Sequence, residues 1–359
     1  MKVFIAANNS GGLYNFRKEL IEEILKDNKV FLSVPNGDEI KEFRSMGCKY
    51  IPCEIERRGK NPVNDIKLLR YYIVFLKKIK PDIVFTYTIK PNVYCGLACS
   101  ILKIPYVVNI TGLGTAVENE GMLQKITLLL YKVGVKKAQK VFFQNKSNEE
   151  FMIRKGIIRG KYDLLPGSGV NLEKYALLEY PNEKIIHFSF ISRIMQEKGI
   201  DQYLEAASYI RKKFPYTRFH VCGECEENYK DKLEEMQKNN IIIYHGVVKD
   251  IREIHKISSC TIHPTYYPEG MSNVLLESCA CGRPIITTNR AGCREIIDDN
   301  VNGYIVKEKN SKDLISKIEK FIALSFEEKQ KMGLEARKKV EKEFDRNIVI
   351  QKYLSELNS

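Results

Sequence analysis

Two glutamates stand eight residues apart and could act on one ligand. Glu269 lies between Pro268 and Gly270, which place it in a loop. Ser272 can cap a helix that begins directly afterwards and contains Glu277. Because helical side chains lean toward the N-terminus of their helix, Glu277 can point back toward Glu269. A loop carboxylate and a helical carboxylate in this order suit the hydroxyl groups of a sugar and of a ribose.

The first turn of this predicted helix offers an anion site between the two carboxylates. Its backbone N–H groups have no partner within the helix, and the helix dipole places positive charge at the same end. A carboxylate, an anion cradle and a second carboxylate in series suit a sugar, a diphosphate and a ribose. Two solvated surface glutamates would show the same spacing without any function.

Two basic residues follow the strand predicted at 185–192. Arg193 and Lys198 lie between this strand and the next helix, and Gly199 comes directly after them. Arginine offers a planar fork of donors and lysine a point charge, so the pair suits a diphosphate. A pair of solvated loop cations would look the same in the sequence. Fixed cations of this kind stabilise a leaving diphosphate as its bond to a sugar breaks.

Secondary-structure elements must position these residues, and the pattern of apolar residues predicts strands that alternate with helices. The predicted strands are 3–7, 30–34, 50–53, 83–87, 106–110, 141–145 and 163–166 in the first half, and 185–192, 218–223, 241–245, 260–264, 284–288 and 304–306 in the second. The helices predicted in the first half are 13–27, 38–46, 64–79, 91–102, 121–138 and 146–156. Continuous runs of Val, Ile and Phe indicate parallel sheets covered on both faces, whose ligands bind at the C-terminal ends of the strands. The predicted fold class is therefore α/β, with two doubly wound domains.

Two motifs carry a resemblance to a known family. The segment with both glutamates resembles the E-x7-E motif of the retaining, nucleotide-sugar-dependent glycosyltransferases of family 4. The stretch from Arg193 to Gly199 resembles the G-R-x4-K-G region of the same family, with Ser192 in place of the usual glycine. The resemblance implies that Arg193 and Lys198 hold the diphosphate of the donor.

The resemblance also implies the GT-B fold, in which two Rossmann-like domains face an interdomain cleft. A basic acceptor-binding domain is expected at 1–167, a donor-binding domain at 168–342, and a C-terminal helix at 343–359 that crosses back to the first domain. Glu269 would contact the transferred sugar and Glu277 the ribose. The resemblance also implies that Gly270, Met271, Ser272, Asn273 and Val274 would present backbone N–H groups to the donor. No enzymic nucleophile is expected, because retention in this family is explained by front-face attack assisted by the leaving phosphate.

Three residues of the first half match the family pattern or depart from it. Gly12 follows the first strand, where glycine allows close approach of the backbone to a ligand. Arg17 is a candidate for an acceptor phosphate, or else a solvated cation. Many family members carry a histidine where Thr111 stands, and a threonine hydroxyl can donate to a sugar oxygen but cannot act as a base near pH 7. Glu118 or Glu120 could compensate, or both could be exposed.

Positive charge is concentrated in the first half of the chain. Residues 1–165 contain 28 Lys and Arg against 16 Asp and Glu, a net charge of +12, whereas residues 166–359 have a net charge of +1. This asymmetry indicates an anionic partner, which could be a membrane surface, a lipid diphosphate or nucleic acid. The basic and apolar segments 64–80 and 121–140 could lie on an anionic bilayer or only cover the sheet. The charge of this half favours the bilayer.

Other features of the sequence indicate whether the protein binds a metal and where in the cell it is found. No run approaches 18 apolar residues, and the first residues read as a strand rather than a signal peptide. Ten cysteines without a secretory signal favour a reducing cytoplasm and buried core positions over metal ligands. There is no Asp-x-Asp sequence, so we expect no metal and no cofactor. The protein would be cytoplasmic and peripherally bound to the inner face of the plasma membrane.

These features together predict a retaining glycosyltransferase that moves a hexose or N-acetylhexosamine from a UDP-sugar to a polyprenyl-diphosphate-linked saccharide. The chain resembles bacterial transferases of lipid-linked glycans, such as the α-1,3-N-acetylgalactosaminyltransferases that extend undecaprenyl-diphosphate glycans, in capsule or O-antigen synthesis. One alternative is a nucleotide-sugar 2-epimerase of the same fold. The other is a nucleic-acid-binding protein that uses the basic half, although no known recognition motif is present.

Overall fold

The structure, a computed structural model, describes residues 1–55, 61–181 and 184–358. The chain divides into two compact units. The first contains Met1–Ser168, Glu269–Met271 and Asn347–Ser359, and the second contains Gly169–Pro268 and Ser272–Arg346. We refer to them as the first and second domains.

The observed boundaries differ in detail from the predicted ones. The first domain ends at residue 168 rather than 167, and the second ends at 346 rather than 342. The C-terminal segment of the first domain therefore begins at Asn347 rather than at 343, and Ser359 lies outside the described residues. The loop Glu269–Met271, which the sequence assigns to the donor domain, belongs to the first domain.

The first domain is built on a seven-stranded parallel sheet with the strand order β3-β2-β1-β4-β5-β6-β7. Its strands are β1 Lys2–Ala6, β2 Lys29–Val34, β3 Lys49–Pro52, β4 Ile83–Tyr87, β5 Tyr106–Ile110, β6 Lys140–Phe143 and β7 Tyr162–Leu164. Its helices are α1 Ser10–Leu25, α2 Ile40–Ser45, α3 Pro62–Ile79, α4 Gly96–Leu102, α5 Thr115–Glu118, α6 Met122–Gly134 and α7 Lys146–Arg154, with a π-helical turn at Pro91–Cys95.

The second domain contains a six-stranded parallel sheet with the order β10-β9-β8-β11-β12-β13. Its strands are β8 Ile186–Ile191, β9 Thr217–Cys222, β10 Ile243–Gly246, β11 Cys260–His263, β12 Ile285–Thr288 and β13 Gly303–Val306. Its helices are α8 Ile200–Lys213, α9 Lys230–Lys238, α10 Arg252–Ile257, α11 Asn273–Ala280, α12 Ser311–Ile322 and α13 Phe326–Glu343. The last helix, α14 Arg346–Leu357, belongs to the first domain from Asn347 onward. The predicted α/β fold with two doubly wound parallel sheets is confirmed.

The alternation of side chains along each strand explains why both faces of the first sheet are covered. Val3 and Ile5 of β1 pack on one face with α1, α2 and α14. Phe4 and Ala6 pack on the other face with α3, α4 and α6. Tyr353 of α14 is fully buried, so the C-terminal helix is an integral part of the first domain's core.

Candidate active site

The N-terminal turn of α11 lacks a side-chain cap. Ser272 occupies the N-cap position with an extended backbone, but its side chain makes no capping hydrogen bond. The Ser272 hydroxyl and the Asn273 Oδ1 are buried and have no hydrogen-bond partner among the described residues. Buried polar groups are normally paired, and the orphan N–H groups of a helix start attract an anion. This end of α11 therefore fits a bound phosphate.

One predicted donor at this helix start is already occupied. The Ser272 N–H donates to the Gly292 carbonyl oxygen at 2.8 Å, so its assignment to the anion cradle is wrong in this structure. The reason is a tertiary contact with a loop 20 residues away, which the sequence does not reveal. Asn273 and Val274 lie in the first turn of α11, whereas Gly270 and Met271 belong to the first domain.

Glu277 lies within α11, and its side chain is half-buried. Burial raises the pKa of Glu277 from 4.5 to about 7, although the Tyr175 hydroxyl and the positive charges of Lys174 and Arg346 act in the opposite direction. Tyr175 hydrogen-bonds to this carboxyl group, and burial together with the neighbouring Glu277 raises the pKa of Tyr175. Glu277 therefore changes its charge near neutral pH while its position is fixed.

Arg193 and Lys198 flank one aromatic ring. The Arg193 guanidinium lies 5.3 Å and the Lys198 ammonium 4.9 Å from the ring centre of Tyr267, within cation–π distance. Arg193 Nη1 also donates to Glu226 Oε2 at 2.7 Å. Burial favours a lower pKa for Arg193, but the Glu226 partner raises it above its usual value. Both cations are thus held near the ring of Tyr267 in the second domain.

The backbone between β8 and α8 explains how these cations reach their positions. Lys198 ends a short 3-10 turn, and Gly199 follows with a φ of 80°, a left-handed conformation that glycine adopts without strain. A Cβ atom at Gly199 would lie 2.2 Å from the Pro264 carbonyl oxygen. Gly199 therefore allows the chain to turn sharply after Lys198, which is 7% exposed.

The loop that carries Glu269 packs closely on the first domain. A Cβ atom at Gly270 would lie 1.8 Å from the Thr111 carbonyl oxygen and 2.5 Å from Gln144 Oε1, so only glycine permits this approach. Asn145 Nδ2 donates to the carbonyl oxygens of Gly270, at 2.6 Å, and of Glu269, at 3.2 Å. Glu269 is therefore fixed at the C-terminal ends of β5 and β6. The structure brings the Thr111 backbone and the Glu269 loop together.

Gly12 and Arg17 lie elsewhere than expected. Helix α1 begins at Ser10 rather than near residue 13, because Asn9 caps it and accepts a hydrogen bond from the Gly12 N–H at 2.5 Å. Gly12 is thus a helical residue with an occupied N–H, which corrects its assignment to a ligand-binding loop.

Arg17 is 4% exposed, and its guanidinium lies 5.2 Å from the ring centre of Tyr87 and 5.8 Å from that of Tyr353. Its Nη1 donates to the Phe16 carbonyl oxygen. In this structure the guanidinium is enclosed by protein, so neither a solvated cation nor an accessible phosphate ligand describes it. Glu118 and Glu120, the candidates to replace the missing histidine, are both exposed.

The cysteines lie almost entirely in the buried core. All ten cysteines are free and only Cys225 is not fully buried, which confirms the core assignment. Across the described residues, no group of three or more His, Cys, Asp or Glu side chains is arranged to hold a metal ion. Among the residues that the structure describes, no helix is both long enough and apolar enough to cross a membrane.

Three residues of the candidate site were not predicted from the sequence. Tyr267 lies two residues before Glu269 and contacts both cations, and Glu226 fixes one of them. Asn145 caps α7 and holds the Glu269 loop with the same side chain. A polar residue at the end of a predicted strand was the only signal for Asn145. Nothing in the sequence pairs Glu226 with Arg193 across 33 residues.

Comparison with known proteins gives consistent matches over both domains. A family model described as "Glycosyl transferases group 1" matches residues 176–339, and one described as "Glycosyl transferase 4-like" matches residues 4–145. The chain is 29% identical to an N,N'-diacetylbacillosaminyl-diphospho-undecaprenol alpha-1,3-N-acetylgalactosaminyltransferase of Campylobacter jejuni, over 99% of this chain and 97% of that protein.

Solved structures share the fold. A glycosyltransferase from Rickettsia africae superposes with a TM-score of 0.82 at 21% identity, covering 99% of this chain and 97% of that one. Anabaena HepE, in complex with UDP and glucose, superposes with a TM-score of 0.81 at 15% identity, covering 100% and 99%.

Proposed function

We propose that this chain, which belongs to the GT-B glycosyltransferases of family 4, transfers a hexose or N-acetylhexosamine from a UDP-sugar to a polyprenyl-diphosphate-linked saccharide with retention of anomeric configuration. The observation that carries the proposal is the pair of cations around Tyr267. Arg193 and Lys198 are held within 5.3 Å of one ring, which suits a single diphosphate group better than two separate ligands.

The second domain supplies further groups that suit a nucleoside diphosphate. The uncapped start of α11, with the unpaired Ser272 hydroxyl, offers donors to a phosphate. When ionised, Glu277 can accept hydrogen bonds from two ribose hydroxyls, and Tyr175 fixes its orientation. HepE, which has the same fold, holds UDP and glucose. Together these features support a UDP-sugar as the donor.

The proposed reaction needs no nucleophile from the protein. The bond between the anomeric carbon and the β-phosphate oxygen breaks, and an acceptor hydroxyl attacks from the same face. Its proton passes to a β-phosphate oxygen, so that the products are UDP and the extended saccharide. Arg193 and Lys198 stabilise the charge that develops on the leaving diphosphate. Glu269 orients the transferred sugar, and the Thr111 hydroxyl can donate to it without acting as a base.

The proposed acceptor class rests on similarity over the full length of both chains. The Campylobacter jejuni protein is named for an acceptor saccharide linked through a diphosphate to undecaprenol. A net charge of +12 in residues 1–165 is compatible with such an anionic lipid. The product would be an intermediate of a bacterial capsule, O-antigen or similar glycan.

Helix α6 supports binding to the membrane that would contain this acceptor. Met122, Ile126 and Leu129 lie on one face of the helix and are 77%, 50% and 62% exposed, and Lys125 and Lys132 are exposed beside them. An exposed apolar stripe with flanking lysines suits the interface of an anionic bilayer. The proposal is that the first domain lies peripherally on the cytoplasmic face of the plasma membrane.

The membrane contact can be tested apart from catalysis. The double variant Ile126→Ser and Leu129→Ser should sediment with anionic phosphatidylglycerol vesicles at least tenfold less than the wild type. The control Leu334→Ser removes a leucine of the second domain that is also exposed. Equal sedimentation of all three proteins would contradict the assignment of α6.

The donor is tested by thermal shift with UDP-, GDP- and dTDP-sugars, followed by transfer to a short-chain polyprenyl-diphosphate saccharide. We expect stabilisation by a UDP-sugar in the presence of EDTA, and transfer under the same conditions. Arg193→Ala and Lys198→Ala should each remove most of the stabilisation. Conversion of the UDP-sugar to an epimer without an acceptor would identify an epimerase instead.

A further inference from the structure

The first domain contains a cavity of about 780 Å³ that none of the residues assigned above lines. It lies where β2 and β3 end and where α3 begins, and Lys90, just after β4, closes one side. The C-terminal ends of parallel strands are the usual ligand-binding edge of such a sheet. The polar and aromatic residues that line the cavity are Glu54, Asn64, Asp65, Lys67, Tyr71 and Lys90.

A largely buried ion pair forms part of the wall. Lys90 Nζ lies 2.9 Å from Asp65 Oδ1, and the two side chains are 14% and 20% exposed. Tyr94 hydrogen-bonds to the same carboxylate, and burial together with this bond raises the pKa of Tyr94. A buried ion pair adds little to stability compared with apolar residues of the same volume, because both charges lose their hydration. A ligand with hydroxyl groups accounts for this pair better than stability does.

Tyr71 provides a fixed aromatic surface beside the pair. Its hydroxyl donates to the Pro52 carbonyl oxygen at 3.0 Å and lies 3.1 Å from the Ser33 Oγ. Burial raises the pKa of Tyr71, so the hydroxyl stays neutral, and the ring packs against Tyr72 and Phe75. A rigid ring next to a carboxylate, an ammonium and an amide suits a saccharide, which has apolar C–H faces and many hydroxyls.

The residues at the start of α3 distinguish a lipid-linked saccharide from a free one. Val63 and Ile66 are 57% and 68% exposed and alternate in the sequence with the lining residues Asn64, Asp65 and Lys67. Lys67 makes no hydrogen bond or ion pair with any residue that the structure describes. Its ammonium is therefore available to a phosphate oxygen at the rim, while the two aliphatic side chains can contact an isoprenoid chain.

We propose that this cavity binds the saccharide of the acceptor, with Asp65, Lys90 and Tyr71 holding the sugar and Lys67 contacting the diphosphate that joins it to the lipid. The proposal rests on the proposed function, because it names the site for the acceptor of that reaction. It assigns acceptor recognition to the β2–β3 edge of the first sheet rather than to Arg17.

The test compares acceptor binding by Asp65→Asn with the matched control Asp163→Asn. Asp163 also forms an ion pair with a lysine at 2.9 Å in the first domain, but it lies on β7, outside the cavity. Binding of the acceptor saccharide is measured by ligand-observed NMR, and the Michaelis constants of donor and acceptor are measured by transfer.

We expect Asp65→Asn to weaken acceptor binding about tenfold to a hundredfold, the range for a lost hydrogen bond to a charged group, with the Michaelis constant of the donor unchanged. The control should keep wild-type affinity. If Asp65→Asn binds the saccharide as tightly as the control does, the cavity is not the acceptor site. The same conclusion follows if the substitution raises the Michaelis constant of the donor as much as that of the acceptor.

A second variant covers the case in which Asp65→Asn does not fold. Lys67→Ala removes an exposed side chain that pairs with none of the described residues. It should weaken binding of a saccharide that carries a short polyprenyl diphosphate and leave binding of the same saccharide as an alkyl glycoside unchanged. Equal effects on both ligands, or no effect on either, would overturn the assignment of Lys67. A wild-type chain that binds both substrates but transfers nothing would count against the proposed function, whereas the cavity is judged by binding alone.

Discussion

Glu277 gives a quantitative test of the donor site, because its environment opposes its charge. We consider Glu277→Gln, which keeps the shape of the side chain and removes its ionisation. Burial raises the pKa of the carboxyl group from 4.5 in the unfolded chain to about 7 in the folded protein. Below pH 4.5 the group is neutral in both states, so ionisation costs nothing. As the pH rises from 4.5 through 7, the unfolded state gains charge first, and the folded state loses stability relative to it.

The size of this effect follows from the shift. One pKa unit corresponds to about 1.4 kcal/mol, so a shift from 4.5 to about 7 makes the wild type less stable than Glu277→Gln by roughly 3 kcal/mol above pH 8. At pH 5 most of this difference is absent. In a domain of this size, 1 kcal/mol moves the melting temperature by about 2–4 °C, which predicts a gap on the order of 8 °C at pH 8.

The assay is thermal unfolding between pH 5 and 8, and the transition of the second domain is identified by its shift on addition of UDP. Glu235→Gln, an exposed glutamate of the same domain, serves as the control. The wild type and Glu277→Gln should melt at similar temperatures at pH 5 and diverge toward pH 8, while Glu235→Gln follows the wild type throughout. A gap that is the same at both pH values would refute the reasoning.

Ionisation of Glu277 should also affect catalysis, but there the charged form is favourable, whereas it lowers the stability of the fold. The ionised carboxylate is the form that accepts hydrogen bonds from ribose hydroxyls, so the Michaelis constant of the donor should fall as the pH rises through about 7. Glu277→Gln should have a high Michaelis constant without this dependence. Glu277→Gln should therefore stabilise the fold and weaken donor binding. This combination is expected where a site retains a destabilising charge because its function requires it.

Three further outcomes are expected. Glu269→Ala should abolish transfer while UDP binding, measured by calorimetry, stays within twofold of the wild type, and near wild-type turnover would mean that the residue has no role. Arg193→Lys keeps the charge but loses the planar fork, so the Michaelis constant of the donor should rise about tenfold in steady-state assays; an unchanged value would argue against contact with the diphosphate. Gly270→Ala places a Cβ atom 1.8 Å from the Thr111 carbonyl oxygen, and the displaced loop should lower kcat about a hundredfold, whereas Gly160→Ala, where a Cβ atom meets only an ordinary contact at 3.7 Å, should have no effect.

Much of the fold was predictable because the strands of a parallel sheet are covered on both faces. Such strands are continuous apolar runs, and each of the thirteen predicted strands matches an observed one within two residues at either end. The start of α1 was missed because Asn9, rather than a residue after the glycines, provides its cap. Helix ends depend on single capping contacts, which periodicity does not detect.

The site was only partly predictable, for a related reason. Arg193, Lys198, Glu269 and Glu277 were found because their spacing along the chain is itself the signal. The occupied N–H of Ser272, the enclosure of Arg17 and the binding of the Glu269 loop by Asn145 depend on contacts between residues far apart in sequence. The cavity at Asp65 and Lys90 has no sequence motif, because its lining comes from four separate segments.

The most direct test of the central claim is NMR analysis of the product formed from a UDP-α-sugar and a short-chain polyprenyl-diphosphate saccharide in the presence of EDTA. The proposed function predicts a new α-glycosidic bond, formed at the same rate with and without the chelator, together with one UDP for each sugar transferred. A β-linked product, a rate that falls with EDTA, or an epimerised donor with no transfer would contradict the account.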